Sequence, residues 1–118
     1  YKSPTCGCCG KWVDHMRAHG FSVKTTNMPK IDHVKAMNGV PQHLSSCHTA
    51  LVGGYVVEGH VPASDVARLL AERPAVTGIA VPRMPVGSPG MEGPHPVRYR
   101  VLAFDSDASV TTFAVHGP

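Results

Sequence analysis

Ser3-Pro4-Thr5-Cys6-Gly7-Cys8-Cys9-Gly10 places three of the four cysteines of this 118-residue chain within four positions. The residues that follow explain the spacing. Cys9, Trp12, Val13 and Met16 recur at i, i+3, i+4 and i+7, the stripe of a helix that turns one face to a core. The run predicts a helix from about Cys8 to Ala18 with Cys9 on its inner side. Cys6, one turn earlier, shares that face, and Cys8 lies nearer the side of Lys11 and His15. Thiols at a helix start sit beside unpaired N–H groups and the positive end of the helix dipole, which favour the thiolate. That is the form that attacks disulfides and binds soft metals. The stretch is therefore a candidate metal or redox site.

Working outward, Tyr1-Lys2-Ser3 reads as the tail of a strand entering the cysteine loop. Gly20 suits the left-handed turn that closes a helix. Phe21 to Thr25 alternates apolar and polar residues as a half-buried strand does. Asn27 offers an N-cap and Pro29 an early helical position for a second helix through Met37, with Gly39 as its stop. Val40 to Ser46 is loop or a single turn. Thr49–Val52 and Tyr55–Glu58 flank Gly53-Gly54, a two-residue hairpin signal. Pro62, Ser64 and Asp65 open a third helix with Val66, Leu69 and Leu70 as its buried stripe, and Arg73-Pro74 ends it. Residues 1–73 thus run βαβα-ββα, the order of a thioredoxin-like α/β domain in which helices flank a sheet. From Pro74 to Pro96 ten of 23 residues are Pro or Gly, so residues 74–98 read as an irregular loop. Residues 99–118 read as a terminal β-hairpin, with Tyr99–Phe104 and Val110–Val115 around the polar turn Asp105–Ser109. We expect one domain over 1–118.

Composition narrows the function. Eleven Lys and Arg against eight Asp and Glu give a net charge of +3, scattered without a basic run, which argues against a nucleic-acid surface. No apolar segment approaches the roughly 20 residues of a membrane span. The chain opens on Tyr1 rather than Met, so a preceding segment is expected, a removed signal peptide being one candidate and a tag or disordered leader another. Three clustered cysteines and a distant fourth do not make an evenly spaced disulfide framework and favour a metal or redox role.

The chemistry turns on Cys47-His48, immediately ahead of the third strand. In a thioredoxin-like sheet the loop entering that strand lies against the helix start that carries the cysteines, so Cys47 should approach Cys6 and Cys9. Two thiols from a helix start and one from a facing loop, with an imidazole next door, form an S₃ or S₃N donor set. Such low-coordinate, thiolate-rich sites suit Cu(I), whereas zinc wants four ligands in a tetrahedron. If Cys8 or His48 joins, four donors are present, and counting alone leaves zinc open. His15 and His19 are four apart on one helical face and read as a solvated face. His33, His43, His60, His95 and His116 are isolated and read as surface or supporting residues. Met84 and Met91 are either soft ligands folded back over the site or ordinary loop packing.

Tyr1–Trp12, Ser46–Pro62 and Gly78–Glu92 together resemble the small bacterial copper-associated family known as domain of unknown function 411. The resemblance spans nearly the whole chain. It implies a thioredoxin-like, exported, metal-binding protein of copper resistance or copper handling, with a periplasmic home. Cys6, Cys8, Cys9 and Cys47 match the family's cysteines. Expected partners are copper ion and other copper-handling proteins. One alternative is a thiol–disulfide oxidoreductase in which Cys6 attacks and Cys9 resolves. Against it, Thr49 stands roughly where redox-active relatives place a cis-proline. Another is a structural zinc or iron–sulfur domain. An apo form in an oxidising compartment would contain Cys6–Cys9 as a disulfide.

Overall fold

The computed structural model describes residues 1–107 and 109–117; Ala108 of the expected polar turn and Pro118 lie outside them. Helix α1 (Gly7–Ala18) buries Cys9, Trp12, Val13 and Met16, the stripe read from the sequence. Gly20, at φ +90°, closes it. The Phe21 N–H donates to the Met16 carbonyl and the Gly20 N–H to that of Arg17, a Schellman closure that needs a left-handed residue. Helix α2 (Asp32–Met37) is shorter than expected and Asn27 does not cap it. The backbone there is engaged elsewhere, since Met28 donates to the Lys2 carbonyl and Lys2 to that of Thr26.

Strands β1 (Thr49–Val52) and β2 (Tyr55–Glu58) form the expected antiparallel hairpin, with Val52 opposite Tyr55 and Thr49 opposite Glu58. Helix α3 (Ala63–Glu72) follows and ends at left-handed Arg73. The expected strand at 1–3 is reduced to two bridges of Lys2, parallel with Asn27 and antiparallel with His48, and 21–25 forms no ladder. Phe21 and Val23 still pack on the core, so the alternation is real although the ladder is not.

The Pro/Gly-rich segment departs most from its reading. It contains β3 (Gly78–Ala80), which pairs parallel with β2 and antiparallel with β4 (Tyr99–Phe104). Every residue of β3 is buried. Its cause is a short apolar run, Gly78 to Val81, that is covered on both faces and so shows no alternation. Strand β5 (Val110–His116) completes a five-stranded sheet in the order β1-β2-β3-β4-β5, so the terminal hairpin continues the main sheet. Trp12, Met16, Tyr55, Val57, Val66, Leu69, Ile79 and Val101 form the larger core. Val40, Leu44, Val56, Ala80 and Phe104 form the smaller. Alternate residues of β2 feed opposite cores, as strand geometry requires, which sets α1 and α3 on one face and the α2 segment on the other.

Candidate metal centre

Four stretches of chain meet at one end of the sheet: the start of α1, the loop into β1, the turn leaving β2, and the segment 81–91. The sulfurs of Cys6, Cys8, Cys9 and Cys47 all lie within 4.8 Å of one another. Cys6 is the N-cap of α1, with its side chain making no capping bond, and is disulfide-bonded to Cys9. The free thiols are those of Cys8 and Cys47. Cys8 Sγ is 3.4 Å from Cys6 Sγ and 3.5 Å from Met84 Sδ. Fully buried Cys9 sets its sulfur 3.8 Å from the Cys47 carbonyl oxygen.

Cys47 is held by its neighbours. The Ser46 N–H donates to Glu58 Oε2 at 2.8 Å and Thr49 Oγ1 to Glu58 Oε1 at 2.6 Å, while Lys35 neutralises the same fully buried carboxylate. Gly59 N–H donates to the His48 carbonyl. Two imidazoles flank the Cys47 sulfur, His60 Nε2 at 2.9 Å and His48 Nδ1 at 3.3 Å. These three residues form a second donor group that shares Cys47 with the first.

His60, expected at the surface or as a supporting residue, is fully buried and so is not a surface residue. Its Nδ1 is 2.5 Å from the Pro89 carbonyl, which can only accept, so Nδ1 carries the proton and the Nε2 lone pair faces Cys47. That is the arrangement of a metal-ligating histidine. Trp12 Nε1 donates to the Val61 carbonyl at 2.8 Å and fixes this turn on α1. His48 is 4% exposed and lies under Trp12 with ring centroids 4.5 Å apart. Its Nε2 is buried with no partner among the described residues, a costly state for a polar atom.

Burial dominates the electrostatics. It lowers the His48 pKa to about 3, with His60 and then Lys35 adding to the effect, and it lowers that of His60. It pushes the Cys47 thiol up to about 12, with Cys8 next in importance. Without a cation the group is thus neutral, thiol and imidazole rather than thiolate and imidazolium. A soft cation would displace the thiol protons.

The remaining candidates divide. Met84 touches Cys8, and Met91 closes its loop through the backbone, accepting from Gly87. His15 is half-buried, and its Nε2 accepts from the Ala63 N–H at 3.0 Å, at the start of α3. The His19 ring packs against it at a tilt, with centroids 4.5 Å apart. His116 pairs with Asp65 at 2.6 Å.

A family model described as protein of unknown function DUF411 matches residues 44–91, a span that holds Cys47, His48, His60 and Met84. No curated protein matches the chain. Two solved structures, forms 1 and 2 of the copper resistance protein CopG, are each 41% identical to it with a TM-score of 0.92. The alignments cover 98% and 99% of this chain and 94% of each of theirs. Identity of that order over the full length carries the cysteine stretch and the matched segment together, and the chain belongs to the copper-associated DUF411 family.

Proposed function

We propose that this protein binds Cu(I) through Cys6, Cys8, Cys9 and Cys47, with His48 and His60 as nitrogen donors beside Cys47, and buffers or passes on copper in the cell envelope. The supporting observation is the convergence of four sulfurs from separate parts of the chain within 4.8 Å. Sulfur-rich donor sets select Cu(I) over harder ions. The names of the two solved relatives, copper resistance proteins, favour copper over zinc. A periplasmic setting agrees with the Cys6–Cys9 disulfide, a bond that persists where the surroundings oxidise. In the disulfide form Cys8, Cys47, His48 and His60 remain as donors; reduction restores all four thiols. Glu58, the fully buried carboxylate next to the site, is engaged by Lys35, Thr49 and Ser46 and serves as scaffold. The role is metal handling rather than catalysis.

The test is anaerobic Cu(I) titration of the reduced protein against a competing chelator, repeated with Cys47→Ser. Because Cys47 belongs to both donor groups, we expect its loss to weaken binding by at least about 100-fold, or about 2.8 kcal/mol. The same site favours one other reading, thiol–disulfide exchange, because a Cys6–Cys9 disulfide at a helix start is the resting form of such enzymes. Against it, β1 opens on Thr49 rather than on a proline. Unchanged copper affinity in Cys47→Ser together with disulfide reductase activity would establish that reading instead.

A further inference from the structure

Copper must reach a site whose inner ligands are enclosed. Cys9 and His60 are fully buried and His48 nearly so, and Cys47 lies between the two imidazoles. The segment Ser88–Gly90 is buried as well and covers the far side. Pro89 accepts from His60, and a Cβ placed on Gly90 would stand 2.8 Å from both the Cys8 carbonyl and His60 Nδ1. One flank is different. There Cys8, half-buried as Cys6 and Cys47 also are, has against its sulfur, at 3.5 Å, the thioether of Met84, which is 45% exposed.

Met84 is held there by its backbone. Ser46 Oγ donates to the Arg83 carbonyl at 2.5 Å, which ties the methionine to the residue before Cys47. Arg83 sits at φ +64°, a conformation that a non-glycine residue keeps only when its surroundings impose it. Pro82 and Pro85 restrict the backbone on either side.

We propose that Met84 and Cys8 form the port through which Cu(I) passes between this protein and a carrier that presents the ion on exposed sulfur ligands. The proposal rests on the Cu(I) reading above. A thioether needs no deprotonation, so Met84 can take up an incoming Cu(I) at once and hold it weakly. Cys8 then forms a Cu–S bond as a bond to the carrier's sulfur breaks. The Cys8 proton passes to the released carrier thiolate or to water, and copper stays Cu(I) throughout. The thiols within bind more strongly and draw the ion inward. Met84 thus sets the rate of exchange and adds little to the affinity.

The experiment is stopped-flow transfer from the Cu(I)–bicinchoninate complex to the reduced protein under anaerobic conditions, with equilibrium affinity and Tm measured alongside. Met84→Leu and Met84→Gln keep the bulk of the side chain and remove the soft donor. Both should slow transfer by about tenfold, or about 1.4 kcal/mol of barrier, while affinity stays within about twofold of wild type. Tm should not move, since the side chain is exposed. An unchanged rate in both variants, or affinity falling in step with rate, overturns the port and leaves the Cu(I) reading standing. A wild-type protein that takes no copper from the complex overturns both.

Discussion

Glu58 shows how a residue without a ligand role can govern the site. Its carboxylate receives Lys35, Thr49 and the Ser46 N–H in a fully buried position, and Ser46 is the residue before Cys47. Removing one partner of a buried pair leaves the other charged and dry, so Glu58→Leu should cost about 3–5 kcal/mol, measured by urea unfolding. Adding Lys35→Met should recover most of that loss. His15 makes a pH prediction. Burial, and then neighbouring His19, hold its pKa below the ordinary 6.5, so the folded state binds fewer protons than the unfolded. The stability due to neutral His15 is present above pH 6.5 and is lost as pH falls below it. His48 and His60 shift in the same direction. Tm should therefore fall with acidification, and more gently in His15→Gln; equal slopes would remove His15 from the explanation. At this scale the sequence showed the cysteines and Cys47-His48 but not His60. The signal was present: the Gly53-Gly54 turn sets Val52 opposite Tyr55, and continuing that register puts Cys47 opposite His60. Met84 was legible only as a choice between ligand and packing, because no periodicity fixes where an irregular loop places a side chain.

The elements carrying a strong local signal were those that formed as expected. Helices α1 and α3 announce themselves by apolar stripes, and β1–β2 by its two-glycine turn. Where an element depended on distant pairing, the sequence said less. Strand β3 is three residues long, and its short apolar run becomes a strand only because β2 and β4 lie on either side of it. Asn27 was read as a cap because its preference for helix starts is local, whereas the bridge to Lys2 is not. The covering segment 81–91 is held at few points, and Gly90 is the closest. It combines φ +92° with direct apposition to Cys8 and His60, so Gly90→Ala should cost about 1–3 kcal/mol from backbone conformation alone. The added methyl must push the segment outward, and alkylation of Cys47 in the native protein should accelerate. An unchanged alkylation rate would mean that the segment does not shield the thiol.

Taken as a whole, the molecule builds its centre from four chain segments that share a rigid sheet end, so the donors stand in place before any ion arrives and little ordering cost falls on binding. On the Cu(I) reading, global stability and copper uptake are then linked. The Cys6–Cys9 bridge closes a short loop and contributes about 2 kcal/mol by chain entropy. Reduction should lower Tm by about 5–10 °C for a domain of this size, and Cu(I) added to the reduced protein should raise it again in proportion to the logarithm of free copper. A reduced protein that Cu(I) leaves unmoved in Tm would contradict the linkage. The same bridge has an environmental consequence. Opening it takes two electrons, so the number of sulfurs on offer follows the reducing power of the surroundings, and a shift of about 30 mV in ambient potential changes the ratio of open to closed protein about tenfold. On the Cu(I) reading, a cell could thus alter how much copper this protein retains without making any more of it.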